Sequence, residues 1–68
     1  MNEMQKKWLE DIYLEAAEDH LSVAKHEHLC ALGSPDNEIA IIHENSADSH
    51  REFANMLMAM AKNINKEE

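Results

Sequence analysis

Five histidines and one cysteine are the side chains of this 68-residue chain with the most potential for site chemistry. His43 and His50 are seven residues apart, so on a helix they share a face and lie about 10 Å apart along its axis. His20 and Glu27 fall at the rim of the apolar side of the preceding helix. Zinc ligands on one helix are normally three or four residues apart. We therefore expect no metal and no cofactor, with His43 and His50 as hydrogen-bonded core or interface residues.

An alternative interpretation keeps a metal function open. If two copies of the chain associate, His43 and His50 of both could bring four imidazoles near one axis, which would make a metal-binding or metal-sensing helical bundle. His26 and Cys30 have the four-residue spacing of two ligands, but they supply only two from one chain. The Glu-x-x-His pairs of di-iron bundles are absent from the sequence.

Catalytic chemistry has less support from the residue pattern. A nucleophile needs a neighbouring base and a third group that orients the base. Cys30 continues an apolar row with Val23 and Ala16, which is typical of a small core residue. The carboxylates fall at helical spacing on polar faces, as solvated charges do. We expect a protein that is not an enzyme and has no catalytic residue.

The elements that position these side chains are separated by the only glycine and the only proline. Gly33 can end a helix in the left-handed conformation, Ser34 can cap the next helix, and Pro35 suits a first helical position. Asn2 and Gln5 have the spacing of a capping box at the start of the first helix. The sequence predicts one all-α domain over residues 1–68, an antiparallel hairpin with helix 1 at about 3–32, a turn at 33–34 and helix 2 at about 35–65.

Alanine recurs every seven residues in both predicted helices. Small side chains let two helix axes approach to the short end of the usual spacing, roughly 8–10 Å. With the turn at 33–34, residues whose numbers add to about 67 lie side by side, which predicts Ala24 beside His43 and Ala17 beside His50. The two rows are Ala17, Ala24, Ala31 and Ala40, Ala47, Ala54, Ala61.

The apolar arc of the first helix is wider than one neighbouring helix can cover, since a single contact needs an arc of only about 100°. We therefore expect the hairpin to self-associate into a four-helix bundle, as a homodimer or alternatively a tetramer. The predicted core and interface residues are Leu9, Ile12, Leu14, Ala17, Leu21, Val23, Ala24, Ala31, Ile39, Ile42, His43, Ala47, His50, Phe53, Ala54, Leu57, Met60, Ala61 and Ile64.

Charge and composition narrow the range of partners. The net charge of −8 argues against nucleic acid and against an anionic membrane surface, and it suits a protein partner with a basic surface. No run of about 18 apolar residues predicts a membrane span. A single cysteine without a signal peptide predicts a cytoplasmic setting. The expected function is that of a small acidic interaction or regulatory protein, such as a phage- or plasmid-type accessory regulator or inhibitor.

The layout, a short hairpin with an alanine-rich seam, resembles that of the Rop family of plasmid RNA-regulatory proteins. That resemblance implies a dimer of hairpins packed as a four-helix bundle. It is limited to the layout, and no functional motif accompanies it. The outer strip of the first helix carries Asp11, Glu15 and Glu18, so RNA binding is not expected for this chain.

Overall fold

The structure, a computed structural model, describes residues 1–64 and contains two long α-helices that pack against each other. Helix α1 spans Glu3–Gly33 and helix α2 spans Asn37–Ile64. The prediction of an all-α helical hairpin is confirmed. The predicted end of the second helix near residue 65 lies outside the described residues. Neither helix within residues 1–64 combines the length and the apolar character that crossing a bilayer requires.

The start of α1 is fixed by the predicted capping box. The Asn2 side chain accepts a hydrogen bond from the Gln5 backbone N–H at 2.8 Å, and the Gln5 side chain accepts one from the Asn2 N–H at 3.0 Å. These two bonds satisfy backbone donors that have no partner inside the helix. A cap of this kind typically contributes about 1 kcal/mol to helix stability.

The turn differs from the prediction at each of its residues. Gly33 remains helical and has no positive φ, so it is not a left-handed cap. Ser34 is the C-cap of α1, and its N–H donates to the Ala31 carbonyl at 3.2 Å. The side chain that caps α2 is Asp36, which accepts from the Glu38 N–H at 2.9 Å. The non-helical connection is therefore residues 34–36, because an aspartate cap two residues later than predicted begins the second helix.

This later turn also shifts the register of the two helices. Cross-helix hydrogen bonds join His20 to His50, His28 to Glu44 and Glu27 to His43, pairs whose residue numbers add to 70 or 72. The predicted sum of 67 was wrong by about one helical turn, because it placed the centre of the connection at residues 33–34. The observed register puts the two alanine rows level with each other instead of setting Ala24 beside His43 and Ala17 beside His50.

The interior of the hairpin consists almost entirely of alanine. The buried apolar residues are Ala17, Ala24, Ala31, Ala47, Ala54, Ala61 and Ile64, and no large side chain is fully buried within the described residues. Ala47 and Ala54 are 0 % exposed. The prediction of a close-packed alanine seam therefore agrees with the burial pattern. Lys6 is also buried near the open end of the seam, with its ammonium 3.9 Å from Glu3.

Candidate functional site

The histidines of the two helices meet in pairs across the alanine seam. His20 of α1 and His50 of α2 lie with their Nδ1 atoms 2.8 Å apart and their ring centroids 5.1 Å apart. The His20 ring also stacks on Phe53, with ring centroids 5.5 Å apart. In this hydrogen bond one Nδ1 donates a proton and the other accepts it, so the two imidazoles must be of different tautomers. We call His20 and His50 the central histidine pair.

Two more histidines are each paired with a carboxylate on the opposite helix. His43 Nδ1 lies 2.5 Å from Glu27 Oε2 on the same side of the seam as the central histidine pair. His28 Nδ1 lies 2.5 Å from Glu44 Oε1 on the other side. The consecutive residues Glu27 and His28 thus bind the consecutive residues His43 and Glu44. One pair therefore joins the helices on each side of the seam near the turn. A shift of one helix along the other would break both pairs.

The fifth histidine is paired within its own helix. His26 Nε2 lies 3.6 Å from the sulfur of Cys30, one turn further along α1. His26 is exposed and Cys30 is half-buried, so Cys30 is less buried than its predicted core position implies. A catalytic dyad would need a third group to orient the histidine and donors for an oxyanion. Neither is found beside this pair among the described residues.

The central histidine pair lies in the middle of an apolar face. At 100° per residue, the side of the seam that carries His20 and His50 also carries large apolar side chains from both helices. Most of them are exposed. We call this surface the histidine face: Leu9, Val23, Ile39, Phe53, Leu57 and Met60 around His20, His43 and His50.

The opposite side of the seam is more polar. It carries Glu10, Glu44, Arg51 and Lys62, together with exposed leucines and Ile41. We call this surface the leucine face, with Leu14, Leu21, Leu32 and Ile41 as its apolar members. A shallow open depression lies at its turn end, lined by residues that include His28, Leu32 and Ile41. This depression has no enclosed volume that would retain a small ligand.

The predicted core and interface residues therefore fall into three groups. Seven are buried, and they are the six alanines and Ile64 named above. Four are half-buried: Leu9, His43, His50 and Leu57. Eight are exposed: Ile12, Leu14, Leu21, Val23, Ile39, Ile42, Phe53 and Met60. Leu14 and Leu21 lie on the leucine face, so the predicted set does not form one continuous surface.

The candidate metal ligands of the sequence analysis are not brought together. His43 binds Glu27 and His50 binds His20, so each has a partner on α1. Within residues 1–64 there is no group of three or more histidine, cysteine, aspartate or glutamate side chains that could hold a metal ion. The sequence placed His20 and Glu27 at the rim of the apolar side. It did not pair them with His50 and His43, because the predicted register differed from the observed one by about one helical turn.

In comparisons with known proteins, no family model, no curated protein and no solved structure matches this chain.

Proposed function

We propose that this chain is a non-enzymatic interaction protein that dimerises through its histidine face into a four-helix bundle. The observation that supports this proposal is the composition of the hairpin interior, where six alanines and one isoleucine are the only buried apolar residues described. Alanine burial contributes little hydrophobic free energy compared with the 1.5–3 kcal/mol, approximately, of a buried Val, Leu, Ile, Phe or Met. A hairpin of this size needs a further source of stability.

The size of the histidine face suits a second copy of the chain. The Cα atoms extend over 52 × 15 × 10 Å, so the broad face of a second copy has the same length and width as the face that it would cover. Phe53 is 53 % exposed and Ile39 is 47 % exposed on this face. Packing it against itself would bury these side chains on both copies at once, as a two-fold interface does.

Charge favours a dimer in which the turns lie at opposite ends. Lys6, Lys7 and Lys62 lie at the open end of the hairpin, whereas the turn half carries Lys25 as its only lysine or arginine. Asp36 and Glu38 lie beside the turn. In the opposed orientation, the acidic turn half of each copy lies level with the less acidic open half of the other. With both turns at one end, like charges would meet instead.

The acidic outer strip of α1 remains outside such a bundle. Asp11, Glu15 and Glu18 are all exposed, and at 100° per residue they lie on the back of α1 and on its flank toward the leucine face, not on the histidine face. A dimer doubles this strip and displays it to solvent on two sides. We therefore propose that the bundle binds a protein partner with a basic surface, by charge complementarity at the outer strip.

Self-association is tested by sedimentation equilibrium of the untagged chain at micromolar concentration. The expected mass is twice the 7.8 kDa of one chain. Phe53→Glu on the histidine face should give single chains, because it would bury an unpaired carboxylate in the interface. Leu21→Glu on the leucine face is the matched control and should stay dimeric. A folded single chain for the parent protein, or equal dissociation of both variants, would contradict the proposal.

The partner is tested by capture from an extract of the source cells, followed by mass spectrometry. The double variant Glu15→Gln/Glu18→Gln removes two charges from the outer strip, and Ser22→Ala changes a neutral residue of the same strip. We expect a protein with a basic surface that the parent and the Ser22→Ala chains recover and that salt elutes. If the double variant recovers as much of this protein as the parent chain does, the outer strip is not the binding surface.

A further inference from the structure

We infer that the central histidine pair is half of a transition-metal site, which two copies of the chain complete at the two-fold axis of the proposed dimer. The ligand class is a divalent ion of the zinc type, bound by His20 and His50 of both copies. This inference rests on the dimer proposed above. It differs from the alternative metal interpretation of the sequence analysis, which used His43 and His50, since His50 is retained and His20 takes the place of His43.

The geometry within one chain supports two ligands for one ion. The Nδ1 atoms of His20 and His50 are 2.8 Å apart and point at each other across the seam. Two imidazole nitrogens that bind the same zinc ion at about 2.0–2.1 Å are roughly 2.9 Å apart at a right angle and about 3.3 Å apart at the tetrahedral angle. Rotation of both rings, so that the two lone pairs converge on one point beside the line between the Nδ1 atoms, would admit the ion.

The tautomers of the two rings decide whether the pair can bind a cation. If both imidazoles carry their proton on Nε2, two Nδ1 lone pairs face each other, which is repulsive unless a positive charge lies between them. In the metal-free chain a shared proton fills this role through the hydrogen bond. A zinc-class ion can replace that proton and bind both lone pairs when the donor ring carries its proton on Nε2 instead, so both imidazoles stay neutral and no net proton is released.

The other histidines are not equivalent to this pair. His43 and His28 are each hydrogen-bonded to a carboxylate, and His26 contacts the sulfur of Cys30 on the same helix. His20 and His50 are the two that are joined to each other by a hydrogen bond across the helices. Neutral imidazole is a preferred ligand of zinc, copper and nickel, whereas calcium and magnesium prefer oxygen.

The position of the pair along the hairpin supplies the remaining two ligands. His20 is two residues from the midpoint of Glu3–Gly33, and His50 is within one residue of the midpoint of Asn37–Ile64. In a fully overlapped dimer with opposed turns, the two-fold axis crosses the bundle at mid-length. A side chain about two residues from mid-length lies only ~3 Å from that axis along the bundle. The two copies of the pair are therefore within ~6 Å of each other along the bundle, close enough for the four side chains to lean toward one ion in the central layer and supply four nitrogens.

The test is zinc uptake by the untagged parent chain after treatment with chelator, measured by equilibrium dialysis at neutral pH, with sedimentation of the same samples. We expect one zinc ion per two chains and a raised melting temperature that chelator reverses. His20→Gln and His50→Gln should each weaken zinc affinity by ~100-fold or more, since even outer-shell changes cost roughly 10–100-fold. His26→Gln, which removes an exposed histidine, is the matched control and should bind zinc as the parent does.

The outcomes separate the site from the dimer. A dimer that takes up no zinc, or one whose zinc affinity is unchanged in His50→Gln, would overturn the metal site and leave the proposed dimer standing. Loss of zinc in His26→Gln would overturn it too, because the ion would then lie at His26 and Cys30. Zinc bound by single chains would overturn both the shared site and the dimer. Substitution with Co²⁺ gives a second readout, since four nitrogen ligands produce tetrahedral absorption bands without a thiolate charge-transfer band.

Discussion

Enlarging one alanine of the seam gives the sharpest test of how closely the helices pack. Ala47 is 0 % exposed, and the register sets it level with Ala24, which is 2 % exposed. If the helices could separate, leucine at position 47 would gain up to ~3 kcal/mol from burial of its side chain. If the axes are held at the short end of the 8–10 Å range, roughly, the added carbons have no space and overpacking costs about 1–3 kcal/mol.

We expect the second result, a loss of about 1–3 kcal/mol for Ala47→Leu, because both alanine rows are buried along the whole seam. For a domain of this size each kcal/mol lowers the melting temperature by roughly 4–8 °C. Thermal unfolding is followed by far-UV circular dichroism at one fixed chain concentration, since the melting temperature of an oligomer depends on concentration.

The matched control for this experiment is Ala59→Leu, which places the same side chain at an exposed position of the same helix. It should change stability by no more than about 0.5 kcal/mol. If Ala47→Leu is neutral or stabilising while Ala59→Leu behaves as expected, the seam is not close-packed.

Three further predictions concern the turn and the cross-helix pairs. Gly33→Ala should raise the free energy of unfolding by about 0.5–1 kcal/mol, because Gly33 is helical and a Cβ there meets nothing within 4 Å. A loss of stability in thermal melts would show that Gly33 needs a left-handed conformation. Asp36→Ala should cost about 1 kcal/mol in the same melts, because it removes the side chain that caps α2. Ser34→Ala serves as its control, because it removes the bond from the Ser34 hydroxyl to the Asp36 carbonyl but leaves the carboxylate cap in place; an equal effect of the two changes would contradict the assignment of the cap to Asp36. A double-mutant cycle of Glu27→Gln and His43→Gln should give a coupling of roughly 0.5–1 kcal/mol, since the pair is only partly buried; strictly additive effects in urea unfolding would remove the pair as a determinant of register.

The sequence by itself determined the helices and their contacting sides. The single glycine and proline divide the chain, and the seven-residue recurrence of alanine indicates which side of each helix packs against the other. These features are local, because the angular position of a side chain on a helix depends only on its spacing from its neighbours. They predicted the buried positions Ala17, Ala24, Ala47 and Ala54 without knowledge of the tertiary structure.

The tertiary structure alone decided how far one helix is displaced along the other. That displacement depends on where the second helix begins, and the sequence analysis gave the cap to Ser34, whereas Asp36 is the residue whose side chain caps the helix. Selection of Asp36 moves the register by about one turn, which sets His20 against His50 and Glu27 against His43. A periodic pattern repeats every seven residues and so fits several displacements nearly equally well. Only the contacts of both helices together choose among them.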